Sequence, residues 1–139
     1  MRCLYLDASV VLRFAFRQPG FVDLRLWETA VASALTRVEC LRTLDRARME
    51  QRLEASELDQ RRGILVDVLA RVREMDLTQA ILLRASAAMP SPLGTLDAIH
   101  LVSALQWREW HDEPLRLATH DHALARAARL QGLEVVPAA

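Results

Sequence analysis

Four acidic residues recur at equivalent places in this chain. Asp7, Glu39, Asp97 and Asp121 each lie where a strand-like run gives way to a helix, or in the first turn of a helix. Carboxylates in such a pattern, with little histidine or thiol beside them, form a donor set for a hard divalent cation. Mg²⁺ and Mn²⁺ take oxygen ligands, and Mg²⁺ is usually held by one or two carboxylates plus waters and phosphate oxygens. The corresponding chemistry is phosphodiester hydrolysis rather than zinc hydrolysis: an ion that orients the scissile phosphate, activates water and neutralises charge in an in-line displacement, with or without a second ion about 4 Å away. Each acid also has a plainer reading. Asp is a preferred helix N-cap, acids in a first turn are favoured by the helix dipole, and Thr36-x-x-Glu39 spells a capping box. Taken singly, Asp7, Glu39 and Asp121 are satisfied by capping. Asp97 is not so easily dismissed, because Leu96-Asp97-Ala98-Ile99 opens the most apolar helix, where an unpaired carboxylate is costly.

What must position these acids is an alternation of strands and helices. Cys3 to Leu6 is an apolar strand ending at Asp7, and Ala8 to Phe16 continues as a helix. After the Pro19-Gly20 break come a short helical stretch at Phe21 to Trp27, a strand at Ala30 to Leu35, and a helix from Thr36 reaching Arg52. Glu57 to Arg73 carries a helical stripe of Leu58, Ile64, Leu65, Val68 and Val72. A brief strand at Met75 to Leu77 precedes a helix over Thr78 to Met89, and Pro90, Ser91, Pro92 and Gly94 make the clearest loop. Thr95 to Trp110, apolar on nearly every face, is predicted to be the central buried helix. Leu115 to Ala118 is a strand, Asp121 to Gln131 a helix stopped by Gly132, and Leu133 to Val136 a last strand. This pattern predicts a parallel sheet covered by helices, whose strand ends open on one crevice. Asp7, Glu39 and Asp121 reach that crevice directly; Asp97 joins them if its helix starts at the same edge.

Composition narrows the class. In 139 residues, 18 basic residues, all Arg, balance 18 acidic ones, which excludes a basic nucleic-acid arm. With 52% hydrophobic residues and no low-complexity tract, one globular domain spanning 1–139 is expected. Cys3 and Cys40 sit in apolar sequence without metal-ligand spacing and read as buried thiols of a reducing compartment. An acid at position 7 falls where a signal peptide needs its apolar region, and no uncharged run approaches the roughly 18 residues of a membrane span. A cytoplasmic protein without a membrane partner is expected.

Four stretches together carry a family resemblance. They are Tyr5-Leu-Asp7-Ala-Ser9-Val-Val-Leu12, Thr36-Arg-Val-Glu39-Cys-Leu-Arg42, Leu96-Asp97-Ala-Ile-His100-Leu-Val-Ser-Ala-Leu105, and Leu117-Ala-Thr119-His-Asp121-His-Ala-Leu124 continuing to Gly132-Leu-Glu-Val-Val136. Each is weak alone; in this order, over nearly the whole chain, they resemble the PIN-domain ribonucleases and, among these, the VapC toxins of bacterial toxin–antitoxin pairs. The resemblance implies a three-layer α/β/α sandwich with a central, mainly parallel sheet. It implies that Asp7 and Asp97 are the principal ligands of Mg²⁺ or Mn²⁺, with Glu39 and Asp121 completing the pocket, and that RNA is cut to leave a 5′-phosphate and a 3′-hydroxyl. Ser9 and Thr119 match small polar positions that support the first acid and the substrate phosphate. A homodimer and a cognate VapB-like antitoxin are the partners implied.

Other residues have two readings. Arg42, on the helix face of Glu39 together with Arg46, either pairs with Glu39 at i,i+3 or binds RNA phosphate or an antitoxin carboxylate. His100 reads as a hydrogen-bonded core histidine, and His111 as a surface residue. Trp27, Trp107 and Trp110 are expected in packing rather than base stacking. His120 and His122, flanking Asp121, match nothing the family pattern requires. Two other classes fit the same acids: a PIN-like nuclease acting on another nucleic acid, and a non-catalytic α/β interaction module whose acids only cap helices.

Overall fold

A computed structural model describes residues 3–137. Five strands, β1 (Cys3–Leu6), β2 (Thr29–Ser33), β3 (Arg73–Met75), β4 (Arg116–Ala118) and β5 (Glu134–Val136), form one sheet in the order β3-β2-β1-β4-β5, with every neighbouring pair parallel. Six helices cover it: α1 (Ala8–Ala15), α2 (Ala34–Met49), α3 (Ala55–Arg71), α4 (Gln79–Ala85), α5 (Thr95–His111) and α6 (His122–Leu130). This is the α/β/α sandwich expected, with the sheet wholly parallel.

Burial of both sheet faces explains the unbroken apolar run of β1. Cys3 and Tyr5 enter a core shared with Leu101, Ala104 and Trp107 of α5 and Leu124 and Ala127 of α6. Leu4 and Leu6 point the other way, onto Val10 and Val11 of α1, Cys40 and Leu44 of α2 and Leu65 of α3. Burial pushes the thiols of Cys3 and Cys40 up, to about 11 and about 12, so both stay protonated and inert. Among the described residues no helix is long and apolar enough to cross a membrane.

Several boundaries differ from expectation for local reasons. Helix α2 starts at Ala34 because the Ser33 hydroxyl accepts the Leu35 N–H (3.1 Å) and turns the chain there. Thr36 therefore falls inside the first turn, buried, its hydroxyl donating to the Leu6 carbonyl (3.4 Å), and the expected Thr36–Glu39 capping box does not form. The helix ends at Met49 rather than Arg52. Helix α3 runs two residues earlier than its stripe suggests, and β3 takes Arg73–Met75 rather than Met75–Leu77, pairing Arg73 with Val31 and Met75 with Ser33. Helix α4 is shorter at both ends: Thr78 caps it, and it stops at Ala85, with the Ser86 hydroxyl turning back on the Leu82 carbonyl (2.9 Å). Phe21 to Trp27 contains only a 3₁₀ turn, Leu24–Leu26. Gly132 does end α6: at φ +80° it lets its own N–H reach the Arg129 carbonyl and that of Leu133 the Ala128 carbonyl, delivering Leu133 to the core.

The strand order sets the site. Helix α1 leaves β1 toward one face of the sheet and α6 leaves the neighbouring β4 toward the other, so a crevice opens at the carboxyl ends of these two strands. Leu65 is the buried anchor of α3, while its neighbour Val66 is 54% exposed. Leu65→Ala should therefore cost about 2–5 kcal/mol in urea unfolding and Val66→Ala less than about 0.5; equal losses would contradict this packing.

Candidate active site

Asp7 sits where β1 ends, with only 4% of its surface exposed. Its Oδ1 accepts hydrogen bonds from the Ser9 hydroxyl (2.6 Å) and the Val10 N–H (3.2 Å), and its Oδ2 accepts one from the Thr119 hydroxyl (2.5 Å). The two hydroxyls in turn accept backbone N–H groups from the β4–α6 turn, His120 onto Ser9 and Asp121 onto Thr119, both at 2.9 Å. The two strand-to-helix turns flanking the crevice are thus stitched together through one carboxylate. Burial pushes the Asp7 carboxyl above its ordinary range, against the pull of the Ser9 and Thr119 hydroxyls.

The other acids approach from three elements. Glu39, on α2, meets the Nε2 of His100 at 2.7 Å. Asp121 caps α6, its Oδ1 accepting the Leu124 N–H (2.9 Å). Asp97 lies in the first turn of α5, whose cap residue, Gly94, has no side chain to bond. It is half-buried and has no hydrogen-bond or ion-pair partner among the described residues. Burial, and then the negative charges of Asp121 and Asp7, push its carboxyl up to about 6. The charges of Asp121, Asp7 and Glu39 all act on Asp97, as they would on a carboxylate at the crevice edge.

No group of three His, Cys, Asp or Glu side chains among the described residues is arranged to hold an ion by itself. Asp7, Glu39 and Asp121 each give at least one oxygen to a protein donor. An all-protein cage of the calcium kind does not fit this arrangement. A cation held by one or two direct carboxylates and completed by water and phosphate oxygens does fit, since Asp97 keeps both oxygens free and carries a repulsion that a cation would relieve.

The remaining sequence candidates divide. Ser9 and Thr119 support Asp7 as expected. Arg42 does not pair with Glu39, which is drawn to His100; it pairs instead with Asp45 (3.0 Å), a carboxylate shared with Arg48. His120 contributes its backbone N–H to the Ser9 hydroxyl, while its Nε2 is enclosed without a partner and burial holds the ring below its usual range. His122 is exposed at the start of α6. Trp107 is buried and stacks on His111 (4.1 Å between rings), Trp27 lies under the Arg116 guanidinium, and Trp110 is exposed. Sequence reasoning missed the bond between His100 and Glu39, and with it Tyr5, whose hydroxyl meets His100 Nδ1 at 2.8 Å. One signal was present: a tyrosine in a strand buried on both faces must bring its hydroxyl to a partner.

Comparison with known proteins identifies the family. The family model described as "PIN domain" matches residues 4–130, a span containing all four acids. The chain is 31% identical to Ribonuclease VapC46 of Mycobacterium tuberculosis (strain ATCC 25618 / H37Rv), the alignment covering 98% of each. It is 30% identical to Ribonuclease VapC47 of Mycobacterium tuberculosis (strain CDC 1551 / Oshkosh), over 93% of this chain and 92% of the relative. Among solved structures, PAE2754 from Pyrobaculum aerophilum shares the fold, with a TM-score of 0.61 at 20% identity, covering 97% of this chain and 84% of that one. The chain belongs to the PIN-domain family and, within it, stands with the VapC-type ribonucleases.

Proposed function

We propose that the protein is a metal-dependent endoribonuclease, the toxin of a toxin–antitoxin pair, working in the cytoplasm on an RNA phosphodiester. The observation that carries the reading is the half-buried, unpartnered carboxylate of Asp97 facing the charges of Asp7, Glu39 and Asp121 at the switch point of the sheet. Its relatives' names, ribonucleases both, supply the substrate class. Asp7 and Asp97 would hold Mg²⁺ or Mn²⁺, and Glu39 and Asp121 would complete the pocket. When bound, the ion would polarise the scissile phosphate, ease deprotonation of the attacking water and offset the charge of the displacement.

The chain's own residues do the placing. Ser9 and Thr119 fix the Asp7 carboxylate by donating to both its oxygens, so it does not turn when a phosphate arrives. The Thr119 hydroxyl, buried and with its hydrogen given to Asp7, supports that carboxylate rather than a substrate oxygen, and the exposed Arg42 guanidinium is available to the RNA backbone in exchange for Asp45. Exposed Leu82 and Leu83 of α4 and Leu96 of α5 offer apolar surface for the second copy of a homodimer. A VapB-like antitoxin is the other partner proposed.

A second reading has an observation in its favour: Asp7 and Asp121 do cap helices. If capping were their whole role, the protein would bind no metal. On the nuclease reading, millimolar Mg²⁺ or Mn²⁺ raises the melting temperature by binding the native state alone. Asp7→Asn and Asp97→Asn each abolish cleavage of RNA in Mg²⁺; either variant cutting at the wild-type rate refutes the assignment.

Asp97→Asn serves a further test, because Asp97 has no hydrogen bond to lose. With its native carboxyl raised to about 6, the wild type binds more protons folded than unfolded between about pH 4 and 6. Stability from this group is complete below about pH 4 and is lost as pH rises through about 6. In metal-free buffer, then, Asp97→Asn should melt at or above wild type at pH 7.5, the two converging toward pH 4. A variant that melts well below wild type at pH 7.5 would show that the Asp97 charge is compensated.

A further inference from the structure

Two hydrogen bonds in series, one buried and one part-buried, connect the elements that carry three of the four acids. The Tyr5 hydroxyl on β1 lies 2.8 Å from His100 Nδ1 on α5, and His100 Nε2 lies 2.7 Å from Glu39 Oε1 on α2. The Tyr5 and His100 rings meet edge to face, 5.9 Å apart at 69°, and their residues are 0% and 1% exposed. We propose that His100 is a positioning residue for Glu39: Tyr5 selects the imidazole tautomer that bears its proton on Nε2, and that N–H holds the Glu39 carboxylate at the metal pocket. The proposal rests on the nuclease reading given above.

Donor capacity determines the tautomer. An ionised carboxylate only accepts, so the hydrogen between Glu39 and His100 belongs to Nε2. In the neutral ring Nδ1 is then an acceptor, and the phenol of Tyr5 has one hydrogen to give it. The chain runs in one direction, Tyr5 O–H to Nδ1 and Nε2–H to Oε1, and every buried polar atom in it is used.

The placement has a consequence for the site. Asp97 and His100 are three residues apart on α5, so one turn of one helix brings a free carboxylate to the crevice and, beside it, the donor that restrains a second. Strand β1 does likewise, ending in Asp7 and clamping His100 two residues earlier through Tyr5. Without His100, Glu39 would be a long, partly exposed side chain free to change rotamer.

The decisive experiment combines nitrogen-15 NMR of the histidine rings, Mn²⁺ titration calorimetry and RNA cleavage in Mg²⁺, on wild type, Tyr5→Phe, His100→Gln and His100→Leu. The metal-free wild type should show His100 as the Nε2–H tautomer, and Tyr5→Phe should shift it toward a mixture. His100→Leu should lose about 10- to 100-fold in kcat and in Mn²⁺ affinity, with KM for RNA little changed. His100→Gln, which can still place an N–H near Nε2, should recover most of both losses. Should His100→Leu fail to fold, Tyr5→Phe carries the test, with a smaller loss in kcat that accompanies the loss of the single tautomer. An Nδ1–H tautomer in the wild type overturns the proposal, as does a folded His100→Leu with wild-type Mn²⁺ affinity and kcat, or a folded His100→Gln no better than His100→Leu. A wild type that shows the Nε2–H tautomer and His100-dependent Mn²⁺ binding but leaves RNA intact overturns the nuclease reading and not the positioning of Glu39.

Discussion

Asp7 is a carboxylate taken almost wholly out of water at the point where β1 and β4 send their helices to opposite faces of the sheet, and the crevice is built around compensating it. An unpaired charge in such a place would cost several kcal/mol. Two hydroxyls and a backbone N–H meet it instead, and the hydroxyls are themselves oriented by N–H groups of the β4–α6 turn. The relation is reciprocal: the turn has its shape because the Ser9 and Thr119 hydroxyls, their hydrogens given to Asp7, accept its N–H groups, and Asp7 keeps its geometry because the turn holds the hydroxyls. Sheet order, helix start and site geometry meet in five hydrogen bonds.

The remaining acids are compensated unequally, and the inequality gives the site its chemistry. Asp121 is exposed and spends one oxygen on its own helix; Glu39 is held by an imidazole; Asp97 is left with repulsion and no donor. A carboxylate in that condition favours either a proton or a cation. On the nuclease reading, that repulsion is the pre-organisation from which phosphodiester chemistry would draw its electrostatic leverage, since the charges are fixed before substrate arrives. Local consistency is given up at this helix start.

Much of this was legible in the residues. The run Cys3-Leu-Tyr-Leu6 reads as a strand, and the acids at helix starts, Asp7, Asp97 and Asp121, follow from alternating strands and helices once the sheet is parallel, Glu39 falling one turn further into α2. The resemblance to PIN-domain ribonucleases needed only the order of four motifs. What could not be read depends on distance in sequence. The Thr36 hydroxyl bonds a carbonyl thirty residues upstream, so a local capping-box pattern was misleading. Glu39 found His100, 61 residues away, in preference to Arg42, three away, because a buried donor outcompetes an exposed guanidinium that another carboxylate already holds. Short edge strands such as β3 carry little pattern of their own and take their register from Val31 and Ser33.

Neutral net charge, which first excludes a basic nucleic-acid arm, acquires a structural meaning. Arginines at 25, 37, 42, 48, 52, 84 and 116 are each engaged with a nearby carboxylate. Such exposed pairs add little stability, but they cancel the long-range positive field that would gather RNA indiscriminately. A polyanion that reaches the crevice meets the negative charges of Asp7, Asp97 and Asp121. On the nuclease reading, attraction there requires the cation itself, so binding and chemistry become one event, confined to the crevice.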